Sequence, residues 1–179
     1  MGEGNTCIDL ALGAISGRKP TKGGIQLVDN MEHPWICFCE MKYDSDISGG
    51  TTHDKGRNQL LRVIENALCF QNSLGYVSKV FVTLVTPYAY KYERVKSSLY
   101  KYKYEEYKND HTKIISDLTK CSFIPRAQTG WRYPTDIDRR IENLSLNWIT
   151  YEELLIDLPC PEGPLNSAIL SKLTASPGK

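Results

Sequence analysis

The sequence has no long apolar run. A membrane-spanning helix needs about 20 consecutive apolar residues, and no stretch of these 179 residues approaches that. The opening "MGEGNTCIDLALG" lacks a basic region followed by an apolar core and a cleavage site, so it does not read as a secretory signal. There is no excess of charge: 22 Lys and Arg stand against 21 Asp and Glu, for a net charge of +1. Bulk charge therefore argues for neither nucleic-acid nor membrane binding, and any such role must rest on local patches. The cysteines never fall in the C-x-x-C spacing of a zinc site. Histidine is scarce, at three residues, and no G-x-S-x-G is present. A serine or cysteine nucleophile with a histidine base thus has little to be built from.

What is present reads as a single globular domain over residues 1–158, followed by a loosely ordered tail over 159–179 with several prolines. The 41% hydrophobic and 24% charged content is ordinary for such a chain. Cys37, Cys39 and Cys69 sit inside apolar runs, where reduced cysteine behaves as a small hydrophobe. That usage predicts an intracellular, reducing compartment.

Residues 6–15, 24–30 and 35–42 read as three strands joined by glycine-rich or proline-containing turns, an antiparallel β-meander. A polar loop over 43–56 leads into a helix starting at Asp54 or Arg57, with Leu60, Leu61, Val63, Ile64, Ala67 and Leu68 on one face. A β-branched run from Tyr76 to Thr86 predicts a fourth strand, parallel to its neighbour after a crossover. Residues 88–120 have helical periodicity, 136–144 a short helix, and "LSLNWI" a last strand. Thr150 and Glu153 then form a capping box for a terminal helix.

The run "WICFCEMK" drives five apolar residues into Glu40 and Lys42. Strand alternation puts those two on one side with Ile36 and Phe38, and Cys37, Cys39 and Met41 on the other. A carboxylate and an ammonium at the end of a buried strand suit phosphodiester hydrolysis. The carboxylate holds a hard cation, and the lysine orients water or offsets the charge of the transition state. A second carboxylate must come from another strand. Asp29 sits at a turn and would lie about 15–20 Å away. Asp9 lies inside the first strand and is the better placed.

Asp9 in "IDLALGAI", Glu40-Met41-Lys42 closing an apolar strand, and the helix opening "GRNQLLR" together resemble the PD-(D/E)xK nuclease superfamily over residues 6–86. The resemblance implies a restriction-endonuclease-like core: an α/β fold with a mixed sheet, a meander followed by helix and strand, and flanking helices. It implies Asp9, Glu40 and the Met41 backbone carbonyl as ligands of Mg²⁺ (or Mn²⁺), Lys42 as the catalytic lysine, and Gln59 as a supporting residue. DNA is the expected substrate. Ile8 stands where the family usually has proline. The family's helix before the first strand has no counterpart within this sequence: it is absent, is supplied by a homodimer mate or a partner chain, or lies upstream of Met1. The E-x-K spacing alone says little, because Glu106-Tyr107-Lys108 repeats it in the long helical stretch.

Two basic, aromatic groups could track a phosphate backbone: Lys101 and Lys103 in the tyrosine-rich helix, and Arg126 and Arg132 in the loop after it. The plainer reading packs the tyrosines on the sheet and leaves the lysines in water. Likewise, Glu40 and Lys42 could be a strand-end ion pair, and the chain a non-catalytic module binding nucleic acid or protein.

Overall fold

The computed structural model describes residues 8–17, 24–29, 32–43, 45–47, 49–50, 57–93, 99–121 and 134–157. Arg126, Arg132, Asp44 and the 159–179 tail lie outside the described residues. The chain is mixed α/β. A four-stranded sheet has the order β1-β4-β5-β6, where β1 is Leu10–Gly13, β4 Trp35–Met41, β5 Lys79–Thr86 and β6 Leu144–Thr150. β1 is antiparallel to β4, whereas β4, β5 and β6 run parallel.

The expected three-stranded meander is not what forms. β1 pairs directly with β4, and β2 (Ile15–Gly17) with β3 (Ile25–Leu27) makes a separate antiparallel ribbon. The break falls at Gly13, whose φ of 107° is open to glycine but rarely to other residues. A Cβ there would also collide with the Trp35 carbonyl oxygen. The chain then bonds across β4's start through Ala14 N–H to the Trp35 oxygen at 2.8 Å and leaves the sheet.

Helix α1 (Gln59–Leu68) supplies the crossover from β4 to β5. Asn58 is its N-cap: its side-chain oxygen accepts the Leu61 N–H at 2.9 Å. The helix therefore starts two residues after the later of the expected positions, Arg57. Leu60, Leu61, Val63, Ile64, Ala67 and Leu68 are all buried, in one core with Ile36 and Phe38 of β4 and Val80, Val82 and Leu84 of β5. At its other end, the Arg140 guanidinium donates to the Leu68 carbonyl at 2.8 Å, placing positive charge at the negative end of the helix.

The helical stretch over 88–120 is not continuous. It comprises α2 (Tyr88–Tyr92), α3 (Leu99–Asn109) and α4 (Thr112–Lys120). Asp110 separates the last two by accepting the Thr112 N–H at 2.9 Å. Tyr100 and Tyr107 of α3 are buried, and the Tyr104 ring meets Trp148 of β6 edge-on at 5.2 Å. Lys108 and Tyr104 both donate to the Leu146 carbonyl, at 2.9 and 3.3 Å, covering part of the outer edge of β6. Helix α5 spans Ile137–Ile141, and α6 (Tyr151–Asp157) is opened by the expected capping box. There the Glu153 N–H donates to Thr150 Oγ1 at 3.1 Å, and the Thr150 N–H to Glu153 Oε2 at 2.6 Å.

Asn58 links this framework to the helical layer. Its amide donates to Tyr107 Oη at 2.9 Å, and that hydroxyl donates to Asp117 at 2.8 Å. Asn58→Ala removes both a cap and a buried hydrogen bond. It is expected to lower stability by about 2 kcal/mol, read as a shift in the urea unfolding midpoint at unchanged slope.

Candidate functional site

The site sits where β1 begins, β4 ends and α1 starts. The register pairs Leu10 with Cys39 in antiparallel fashion, which sets Asp9 beside Glu40. Asp9 Oδ2 accepts the Met41 N–H at 2.8 Å, so one carboxylate oxygen ties the end of β4 to the chain entering β1. The choice of Asp9 over Asp29 is in keeping with the geometry. Asp29 instead accepts from the Asn72 amide at 2.9 Å, and its neighbour Val28 bonds to Ala14, which bonds to Trp35 at the opposite end of β4.

Glu40 is 1% exposed, in line with Ile36 and Phe38 on the core side of its strand. Its Oε1 accepts from Lys42 Nζ at 2.8 Å and from the Gln59 amide. Two sequence-selected side chains, Lys42 and Gln59, thus converge on one oxygen of a third, Glu40. Gln59 reaches it because Asn58 fixes the first turn of α1 beside the end of β4. Burial pushes the Glu40 carboxyl above its usual range; Lys42 opposes that rise, the nearby Asp9 charge adds to it, and Arg62 opposes it.

Three further residues border this group. Arg62 is three residues after Gln59, on the same side of α1, and its charge is felt at Glu40. Tyr43 and Tyr151 meet edge-on with ring centroids 6.1 Å apart. The Tyr151 hydroxyl is raised by burial and then by the charge of Asp9, which places Tyr151 close to that carboxylate. The i, i+3 spacing to Gln59 was a usable signal for Arg62. No local signal marks Tyr151, which reaches the site only through the β5–β6 pairing.

The donors present suit a hard cation: two carboxylates in register and the Met41 carbonyl between Glu40 and Lys42. Mg²⁺ is commonly held by one or two carboxylates with water completing its shell. Among the described residues no group of three or more His, Cys, Asp and Glu converges. A cation here would therefore rest on Asp9, Glu40, the Met41 carbonyl and water.

The other selected residues lie elsewhere. Lys103 is bound to Glu106 at 2.7 Å and Asp117 at 2.8 Å, and Lys101 Nζ donates to the Lys91 carbonyl at 3.4 Å. The second E-x-K is pulled apart, with Glu106 on Lys103 and Lys108 on the Leu146 carbonyl. Asp46 serves the fold, accepting the Leu99 and Tyr100 N–H groups at the start of α3, at 2.5 and 3.0 Å. Among the described residues no helix is long and apolar enough to cross a membrane. Comparison with protein-family models, curated proteins and solved structures finds no match for this chain.

Proposed function

We propose that this chain is a metal-dependent nuclease that hydrolyses phosphodiester bonds of DNA on a restriction-endonuclease-like core. The observation that supports this reading is the convergence of Asp9, Glu40, Lys42 and Gln59 at one end of the sheet. When bound, Mg²⁺ or Mn²⁺ would polarise the phosphate and lower the pKa of a water molecule. Lys42 is the residue that acts on the reacting atoms. Its ammonium, carried beside Glu40, donates to the attacking water or to the phosphate oxygen that gains charge. Glu40 and Asp9 supply the negative charge that draws the cation in. Gln59 is a positioning residue: it holds the Glu40 carboxylate in one rotamer. Arg62 adds positive charge near the Glu40 carboxylate, of the sign a phosphate would need.

A second reading, an inactive module of the same fold that binds nucleic acid or a protein partner, is favoured by one observation. Glu40 Oε1 is already engaged by both Lys42 and Gln59. A homodimer mate or a partner chain is then the natural ligand. The deciding experiment is cleavage of supercoiled plasmid and of single-stranded DNA with Mg²⁺ or Mn²⁺. Nicking by the wild type that disappears with chelator and in Lys42→Ala supports the nuclease. Equal nicking by both proteins, or none by either, leaves the binding module.

A further inference from the structure

β4 carries a second chemistry on its other face. Cys37, Cys39 and Met41 alternate with Ile36, Phe38 and Glu40, so they project to the opposite side of the sheet. Cys37 and Cys39 are free thiols with their sulfurs 3.8 Å apart, and Thr83 Oγ1 of β5 lies 3.4 Å from Cys37 Sγ. Two bonds of about 2.3 Å from a single metal ion span about 3.8 Å between sulfurs at a tetrahedral angle and about 4.0 Å at a trigonal one. The thiols are already spaced as the two arms of a chelate. The next side chain on this face, two positions on, is the Met41 thioether, which makes three sulfur donors in a row.

This face is also approachable. Cys37 and Met41 are half-buried and flank Cys39, which is buried. Leu10 and Leu12 of β1 pair with Cys39 and Cys37, and Trp35 precedes Cys37 on the same side; these three are 43%, 48% and 42% exposed. The surroundings are apolar, which favours a weakly hydrated ion over a strongly hydrated one.

We propose that Cys37, Cys39 and Met41 form a binding site for a soft, thiophilic monovalent cation, Cu(I), with two thiolates as the main donors and the thioether as the third. An all-sulfur set selects Cu(I) in preference to hard cations. Zinc is the natural competitor for thiolates, but its structural sites are closed by four N or S ligands. Among the described residues no group of three or more His, Cys, Asp and Glu is available to close one. Binding replaces two S–H bonds with two Cu–S bonds and releases both protons to solvent; no electron is transferred. The sulfur donors are distinct from the oxygen donors of the nuclease reading: the Glu40 side chain projects to the other side of β4, and Met41 enters the two sites through different atoms, its thioether here and its backbone carbonyl there.

The test uses the full, reduced chain without oxygen. Cu(I) is titrated in competition with bicinchoninate, and cysteine accessibility is mapped by iodoacetamide labelling and peptide mass spectrometry. The expected result is one tightly held Cu(I) per chain, with Cys37 protected while Cys121 stays as reactive as before. Cys37→Ser with Cys39→Ser should weaken binding by about 100-fold or more, and Met41→Leu by about tenfold. Full-affinity binding in the double variant overturns the site. So does unchanged labelling of Cys37, the half-buried thiol of the pair, in the wild type, a readout that needs no variant to fold. Zn²⁺ held as tightly as Cu(I) overturns the assignment of the ion.

Discussion

On the proposed nuclease reading, Glu40→Gln and Lys42→Ala are each expected to lower cleavage by on the order of 10³-fold, yet to move stability in opposite directions. Glu40 is a carboxylate in the core, and burial raises its pKa above the ordinary 4.5. The folded chain therefore holds a proton at a pH where the unfolded chain has lost it. The sign follows: the contribution of Glu40 to stability is full below about pH 4.5, falls as pH rises through the folded-state value, and is lowest above it. Glutamine keeps the shape and can still accept from Gln59, but has no charge to desolvate. Glu40→Gln should flatten that part of the stability–pH curve and unfold at a higher urea concentration at pH 7. Lys42→Ala does the reverse. It removes the cation 2.8 Å from a carboxylate that cannot reach bulk water. The expected cost is about 1–3 kcal/mol, limited because Glu40 can take up a proton instead. Urea titrations of both variants from pH 4 to 8 check the prediction. A destabilised Glu40→Gln with the same pH slope as wild type would count against a strained, function-bearing carboxylate.

Much of this site was legible in the sequence because strand alternation is a strong constraint. Five apolar residues before Glu40 fix β4 as a central strand, and the i, i+2 spacing then fixes the side on which Glu40 lies. The helix carrying Gln59 was equally readable from its apolar face. What could not be read was pairing at a distance. The three-strand meander required residues 24–30 to lie between β1 and β4, whereas Gly13 lets the chain leave the sheet and β1 take that place. The same limit hid Tyr151, which owes its position to the parallel pairing of β6 with β5. In the helical stretch, periodicity ran across Asp110 because Ile114 and Leu118 continue the helical spacing from Tyr107. The stop comes from a short side-chain-to-backbone bond, which periodicity does not register. The local polar pattern also misleads over Lys103: its lysine–tyrosine surroundings suggest a phosphate track, yet two carboxylates from α3 and α4 hold it.

Arg57→Ala is expected to be the most damaging single change to the fold. Arg57, just before α1, is 2% exposed and pairs with Glu65 of α1, itself 5% exposed. Removing one member of a buried pair leaves the other charge without its counter-ion, at a cost of about 3–5 kcal/mol. A domain of this size has a total stability of about 5–15 kcal/mol, so the loss is a large share. Glu65→Ala should cost a similar amount. Arg57→Met with Glu65→Leu removes both charges and keeps the volume, and should recover most of that loss. The coupling is read from a double-mutant cycle of urea unfolding; additive single effects would show that the pair does not act as a unit. The consequence reaches the site, because Arg57 immediately precedes the Asn58 cap and Gln59 immediately follows it. If the start of α1 shifts, Gln59 loses its hold on Glu40. The double variant, stable but differently packed at that point, should cleave less than wild type while folding nearly as well. That outcome would assign the buried pair a part in positioning the site beyond its part in the core.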